Sequence, residues 1–105
     1  MERGPIAVIG AGTLGWQIAR TFAGRGVTVR LYDASSEAVE RAISRVRDDA
    51  HEALERIVVA GSMSEAVAGI WLAIEAIPER LEAKLALFEN LSALAGPEVI
   101  LATNS

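Results

Sequence analysis

Three glycines at fixed spacing form the first candidate site of this 105-residue chain. The segment GAGTLG places Gly10, Gly12 and Gly15 directly after an apolar run and before a pattern with helical spacing. In such a motif the first glycine permits a tight turn, the second lets backbone N–H groups approach a pyrophosphate, and the third lets the helix pack closely. The phosphates would meet the positive end of a helix dipole. The same spacing also fits a strand-to-helix turn in which the glycines serve only steric needs.

An acidic residue follows this turn at the spacing expected of a dinucleotide site. Asp33 lies 18 residues after Gly15, at the end of the predicted second strand. Its carboxylate can accept hydrogen bonds from both hydroxyls of an adenosine ribose, and it would repel a 2′-phosphate. Ala34, Ser35 and Ser36 offer no cationic side chain to hold such a phosphate. Asp33 could instead begin a turn or cap the next helix. Together the glycines and Asp33 predict NAD(H) rather than NADP(H).

Alternating strand and helix patterns surround these residues. Apolar or β-branched runs predict strands at 6–9, 27–33, 57–60, 70–77 and 98–105. Amphipathic patterns predict helices at 13–23, from Ser35 or Ser36 along an apolar stripe to Ile57, at 62–69 and at 81–95. The run at 57–60 could also be the tail of the second helix. This order predicts a Rossmann-type α/β fold, a doubly wound parallel sheet in three α-β-α layers with strand order 3-2-1-4-5. Its ligand crevice would lie at the carboxyl ends of the first and fourth strands.

Composition narrows the class of protein. The net charge of −4 argues against a nucleic-acid or anionic-membrane partner, since both need a basic patch. The absence of cysteine excludes disulfides and thiolate metal sites, and it fits a reducing compartment. No secretory signal is visible, and no apolar run reaches the about 18–20 residues of a membrane span. We therefore expect one cytoplasmic domain over residues 1–105, with no metal site and no contact with membrane or nucleic acid.

Residues 74–105, IEAIPERLEAKLALFENLSALAGPEVILATNS, resemble the NAD-binding domain of the 3-hydroxyacyl-CoA dehydrogenase family. That family has a strand ending in an IEAVPE-like stretch, a helix with a lysine in its first turns, and a strand ending in ATNTS. The first segment is also similar to the family's GAGTMG turn and LYD strand end, with Leu14 in place of the usual methionine. The resemblance covers nearly the whole chain, and the match at both ends is more specific than the glycine motif alone.

The resemblance implies a two-domain enzyme that transfers hydride between NAD and the 3-hydroxyl carbon of a 3-hydroxyacyl-CoA. It implies that the glycine turn and Asp33 bind the adenosine and pyrophosphate, that Ala76 lies along the cofactor, that Glu79 and Lys84 lie near the nicotinamide-side ribose, and that Asn104 lies near the nicotinamide. Glu79 could instead serve only as a helix-dipole partner, and Lys84 could be a solvated helix residue. The expected cofactor-binding residues are Gly10, Ala11, Gly12, Thr13, Leu14, Gly15, Asp33, Ala76, Glu79, Lys84 and Asn104.

Three departures from the family pattern affect the expected function. The helical hairpin that the family carries before the third strand is short here, so carnitine-type or other 3-hydroxy acid substrates stay open besides acyl-CoA. Trp71 stands where the family commonly has a polar residue. The family's substrate-binding serine, its histidine base with a glutamate partner, and its dimerisation domain lie beyond the position that Ser105 matches. The single histidine, His51, is expected on the exposed face of the second helix.

These departures predict a cofactor-binding half that is inactive alone and has no catalytic residue of its own. The last strand would leave an unpaired sheet edge, which favours association, and a homo-oligomer is one outcome. A different class of function also fits the glycine turn and Asp33. Regulatory Rossmann domains of ion channels use the same features to sense nucleotides without catalysis.

Overall fold

A computed structural model describes residues 4–77, 81–96 and 98–103 of the chain. In these residues five parallel strands form one sheet in the order 3-2-1-4-5, which confirms the predicted topology. The strands are β1 (Ile6–Ile9), β2 (Val29–Tyr32), β3 (Ile57–Val59), β4 (Leu72–Glu75) and β5 (Ile100–Thr103). The helices are α1 (Thr13–Gly24), α2 (Ser36–Asp49), α3 (Met63–Val67) and α4 (Leu81–Leu94), with a 3₁₀ helix at His51–Arg56.

The central strand β1 separates two hydrophobic cores. Ile6 and Val8 face a core formed with α1 and α2, whereas Ala7 and Ile9 face a core formed with α3 and α4. Successive side chains of a strand point to opposite faces, so a continuous apolar run is the pattern of a strand covered on both sides. The three-layer arrangement predicted from the sequence is therefore confirmed.

The register of the sheet brings the candidate residues together at the carboxyl-terminal ends of the strands. Ile9 lies level with Tyr32 of β2 and with Glu75 of β4. Glu75 in turn lies level with Thr103 of β5. Because parallel strands all end at the same edge, the segments that follow β1, β2 and β4 meet there. This edge is where ligands bind in open α/β sheets.

The second helix is shorter than the apolar stripe predicts. α2 ends at Asp49, where Ala50 leaves the helix with φ −154° and ψ 75°, and a separate 3₁₀ helix follows. Ala53 and Ile57 still pack in the same core as α2, so the apolar spacing continues across the break. The prediction of one continuous helix is therefore wrong, and His51 is the exposed first residue of the 3₁₀ helix rather than a mid-helix residue. The short third strand is confirmed.

Trp71 joins the segment before β1 to the start of β4. Its indole Nε1 donates to the Gly4 carbonyl at 3.2 Å, and its backbone N–H donates to the Pro5 carbonyl at 3.3 Å. Its own carbonyl accepts from the Ile100 N–H at 3.0 Å, and its ring packs against the core of α1 and α2. These contacts give a structural reason for the aromatic residue that the family pattern left unexplained.

Across the residues described, no helix is both long and apolar enough to cross a membrane.

Candidate functional site

Gly10 makes the turn at the end of β1. Its φ of +114° lies in a region that only glycine adopts readily. A Cβ at this position would lie 2.8 Å from the carbonyl oxygen of Ala76, closer than such atoms normally approach. The Gly10 N–H donates to the Tyr32 carbonyl at 2.7 Å, and the Ala76 N–H donates to the Ile9 carbonyl at 2.8 Å. The turn is therefore held between the ends of β2 and β4.

Gly15 allows α1 to pack directly on this turn. A Cβ on Gly15 would lie 1.8 Å from the carbonyl oxygen of Gly10. The side chain of Ala76 is the next neighbour, with its Cβ 3.8 Å from that position. The sequence predicts that Gly15 lets the helix pack against the sheet, and the close contact is with the backbone of the turn itself. The fold alone therefore requires glycine at positions 10 and 15.

Gly12 differs from both, because nothing in the fold requires it to be glycine. Its backbone has φ −77° and ψ −157°, and no atom of the described residues lies within 4 Å of the place a Cβ would take. Gly12 begins α1 as an exposed N-cap, and no described side chain caps the helix. The first backbone bond of α1 runs from the Trp16 N–H to the Gly12 carbonyl at 3.1 Å, so the N–H groups before Trp16 lack intrahelical partners. The open face thus exposes donors that suit an anion.

Asp33 lies beside the glycine turn with its carboxylate held at both oxygens. Oδ2 accepts a hydrogen bond from the Ala11 N–H at 2.9 Å, and Oδ1 accepts one from the Ser35 N–H at 2.8 Å. A carboxylate oxygen has two acceptor positions, so both can still accept from a hydroxyl group. The cap of α2 is Ser35, whose hydroxyl accepts from the Ala38 N–H at 3.2 Å. The alternative that Asp33 caps this helix is therefore wrong, although Asp33 does shape the turn before it.

A cleft of about 660 Å³ opens next to Asp33, between α2 and the end of β3. Val39, Ile43 and Val59 contribute apolar surface to it, and Glu40 is among the polar residues around it. Neither the glycine motif nor the family resemblance assigns any of these four residues to a site. The spacing of Val39 and Ile43 on α2 indicates only a helix face, since a core-facing stripe has the same period.

A buried ion pair lies on the opposite side of β1 from Asp33. Glu75, at the end of β4, is fully buried, and its Oε1 lies 3.3 Å from the Nζ of Lys84 on α4. Oε1 also accepts from the Thr103 hydroxyl at 2.6 Å, and Oε2 accepts from the Ile77 N–H at 2.6 Å. Lys84 is 8% exposed, so the alternative of a solvated helix lysine is wrong.

Glu75 is a residue that the sequence predictions leave out. The available signal is a carboxylate within the otherwise apolar strand of IEAI. A charge buried in such a strand needs a partner, because an isolated buried carboxylate is costly. The cation and the hydroxyl that pair with it come from other elements, and sequence spacing does not reveal them.

The structure brings most of the predicted cofactor-binding residues to one edge of the sheet. Thr13 and Leu14 lie exposed on the first turn of α1, and Lys84 lies beside Glu75. Glu79 and Asn104 fall outside the residues that the structure describes. Gly10, Ala11 and Gly12 follow β1, Asp33 follows β2 and Ala76 follows β4, while Gly15 lies in the first turn of α1.

Residues 5–105 match the family model of the 3-hydroxyacyl-CoA dehydrogenase NAD-binding domain. The chain belongs to this family. NAD is accordingly its cofactor, and the open face of Gly12 with the carboxylate of Asp33 fits that dinucleotide. Membership in a dehydrogenase family favours the enzyme interpretation over a nucleotide-sensing module.

Relatives of the 3-hydroxyacyl-CoA dehydrogenase family are longer than this chain. The chain is 38% identical to the 3-hydroxyadipyl-CoA dehydrogenase of Escherichia coli K12, over 95% of its own length and 24% of that protein. The solved (S)-3-hydroxybutyryl-CoA dehydrogenase of Ralstonia eutropha matches at 26% identity with a TM-score of 0.91, over 99% of this chain and 41% of that one. A diketoreductase structure matches at 32% identity with a TM-score of 0.89, over 100% of this chain and 42% of that one. The chain thus spans between 24% and 42% of the length of these proteins.

Proposed function

We propose that this chain is the cofactor-binding part of an oxidoreductase that transfers a hydride between NAD and the 3-hydroxyl carbon of a 3-hydroxyacyl-CoA. The observation that carries the proposal is Gly12, whose open face leaves the donors at the start of α1 accessible where the fold does not need a glycine. When bound, the nicotinamide accepts or supplies the hydride. Two of the relatives named above act on 3-hydroxyacyl-CoA compounds, which supports this substrate class.

In this proposal, different residues of the chain bind different parts of the cofactor. The pyrophosphate binds over Gly12 and the first turn of α1, including Thr13 and Leu14, with the backbone N–H groups as donors. The hydroxyls of the adenosine ribose donate to Asp33, which the Ala11 N–H and the Ser35 N–H hold in place. The cleft beside Asp33 has room for the adenine.

The nicotinamide half then lies over the ends of β4 and β5. Ala76 packs beside the glycine turn, and Lys84 lies at the start of α4 on this side of β1. Glu79 and Asn104 belong to the same proposed site by resemblance to the family. These residues position and bind the cofactor, and none of them is proposed as an acid or base.

Nucleotide titration tests the cofactor site. Calorimetry should detect NADH binding to the chain and an at least tenfold weaker affinity for NADPH, because Asp33 repels a 2′-phosphate. Asp33→Ala should weaken NADH binding by about 1–3 kcal/mol, the usual cost of leaving polar groups unpaired. Asp33→Asn, of the same size but uncharged, should reduce the difference in affinity between NADH and NADPH.

Asp48→Asn serves as the matched control, since it makes the same change at an exposed carboxylate of α2 that does not line this cleft. It should leave both affinities within twofold of the wild type. Equal affinity for NADH and NADPH, or no binding of either, would contradict the proposal.

A second candidate is an NAD-dependent dehydrogenase of another 3-hydroxy acid, including carnitine-type compounds. By resemblance to the family, the short 3₁₀ helix His51–Arg56 stands where the acyl-CoA enzymes carry a helical hairpin, and this difference supports the second candidate. The diketoreductase, which acts on dicarbonyl compounds, is a relative named without CoA. Assays of NADH oxidation with acetoacetyl-CoA and with 3-oxo acids would separate the two substrate classes in the full-length enzyme.

The same assay on residues 1–105 should show no turnover. The single histidine, His51, is exposed at the start of the 3₁₀ helix that follows α2, and no residue of the proposed cofactor site is assigned as an acid or base. We further propose that residues 1–105 are one domain of a cytoplasmic protein that forms homo-oligomers. The absence of cysteine supports a reducing compartment, and the exposed Val58 on β3 and Ile100 on β5 support interfaces at the two edge strands of the sheet.

A further inference from the structure

Glu75 is a fully buried carboxylate that the proposed cofactor contacts do not use. It connects three separate parts of the chain. Oε2 accepts from the Ile77 N–H in the segment that leaves β4, while Oε1 contacts Lys84 on α4 and the Thr103 hydroxyl on β5, at 3.3 Å and 2.6 Å. A carboxylate placed at the junction of a strand end, a helix start and a neighbouring strand can set the relative position of all three.

The place of this junction in the sheet gives it a role toward a ligand. Glu75 lies level with Ile9, the last residue of β1, and directly precedes Ala76, whose carbonyl faces Gly10. Asp33 lies on the other side of β1. A dinucleotide with its adenosine ribose at Asp33 and its pyrophosphate over the glycine turn must continue across the ends of β4 and β5. Glu75 and the groups that it contacts therefore lie beneath the nicotinamide half of the ligand.

We propose that Glu75 is a positioning residue that fixes the Lys84 ammonium and the end of β5, so that the nicotinamide half of NAD(H) is bound in one orientation. The proposal rests on the NAD(H) site proposed above. A lysine has a flexible four-carbon stem, and its ammonium moves to water unless a partner holds it. Glu75 holds this ammonium where Lys84 is almost completely buried, and removal of the carboxylate lets the ammonium leave.

The test compares NADH with ADP, which carries only the adenosine and the pyrophosphate. Glu75→Gln keeps the shape but removes the charge, and it should weaken NADH binding at least tenfold while ADP binding changes less than threefold. The fluorescence change of NADH on binding should be lost in the variant, because the nicotinamide is no longer held in one environment. Thr103→Val, which removes the hydroxyl at constant shape, should weaken NADH binding three- to fivefold. Thr103→Ser, which keeps it, should stay within twofold of the wild type.

A double variant separates positioning from folding. Glu75→Gln removes the buried ion pair with Lys84, and this loss lowers the melting temperature. Glu75→Gln with Lys84→Met removes both charges at similar volume, so the melting temperature should recover while NADH binding stays weak. Equal weakening of NADH and ADP by Glu75→Gln would show a purely structural role and overturn the inference. NADH binding by the double variant at wild-type affinity would also overturn it.

The wild-type chain distinguishes this inference from the proposed function. If the chain binds ADP and its affinity for NADH is no higher, the role of Glu75 is refuted and the adenosine and pyrophosphate site still stands. Binding of neither nucleotide would refute the proposed function, and the inference with it.

Discussion

Glycine occurs at positions 10, 12 and 15 for different physical reasons. At Gly10 the backbone has a positive φ and the strand end at Ala76 lies too close for a side chain. At Gly15 the carbonyl oxygen of Gly10 lies only 1.8 Å from where a Cβ would be. At Gly12 the backbone is one that alanine adopts, and the adjacent space is open. Substitutions within one short motif can therefore separate folding from ligand binding.

Gly12→Ala should reduce NADH affinity at least tenfold, because a methyl group would stand between the ligand and the donors of α1. Its free energy of unfolding should change by no more than about 1 kcal/mol, the size of an N-cap effect. Gly15→Ala should instead lower the free energy of unfolding by about 3 kcal/mol, the upper range for overpacking, since backbone must move. Urea denaturation and calorimetric titration measure the two effects. Wild-type NADH affinity in Gly12→Ala would contradict the phosphate site at this turn.

The residues of the turn could be predicted from the sequence, whereas the buried ion pair could not. The glycine spacing and Asp33 belong to one β-α-β unit, so their geometry follows from local backbone needs and a single strand pairing. Glu75 depends on Thr103 and Lys84, which come from another strand and from a helix. Its role becomes visible only when the register of β4 with β5 is known.

At the scale of elements, most strands and helices follow from patterns in the sequence, and the break after α2 does not. The strands are short apolar runs between turns, and the fold pairs them in the predicted order. The apolar stripe of α2 continues through Ala53 into β3, because the 3₁₀ helix packs against the same core. Periodicity reports which face is buried rather than whether the helix is continuous.

The start of α2 provides a test at this scale, because two neighbouring serines differ in role. Ser35 caps the helix through its hydroxyl, which accepts from the Ala38 N–H at 3.2 Å, whereas Ser36 is the first helical residue. Ser35→Ala should lower the free energy of unfolding by about 0.5–2 kcal/mol. Ser36→Ala, as the matched control, should change it by less than about 0.5 kcal/mol. A larger loss in Ser36→Ala, measured by urea denaturation, would show that the cap is assigned to the wrong serine.

At the scale of the whole molecule, the sheet separates two cores, and its central strand β1 contributes side chains to both. Along the sheet, Asp33 follows β2 on one side of β1, and Glu75 ends β4 on the other. The glycine turn follows β1, between these two strands. A dinucleotide bound across that turn contacts the segments after β2 and after β4, so it stabilises the folded molecule as one unit.

NADH should therefore raise the melting temperature of the whole chain in a single transition. A ligand that binds only the native state adds about 2.7 kcal/mol at a concentration of 100 times its dissociation constant. For a domain of this size, 1 kcal/mol corresponds to roughly 4–8 °C, so the expected shift is about 10–20 °C. NADPH at the same concentration, with an affinity at least tenfold weaker, should give a shift of about half that size or less. Gly12→Ala should melt near the wild-type temperature without ligand yet show little shift with NADH. Two separate transitions, with only one displaced by NADH, would show that the strands on the two sides of β1 do not unfold as one unit.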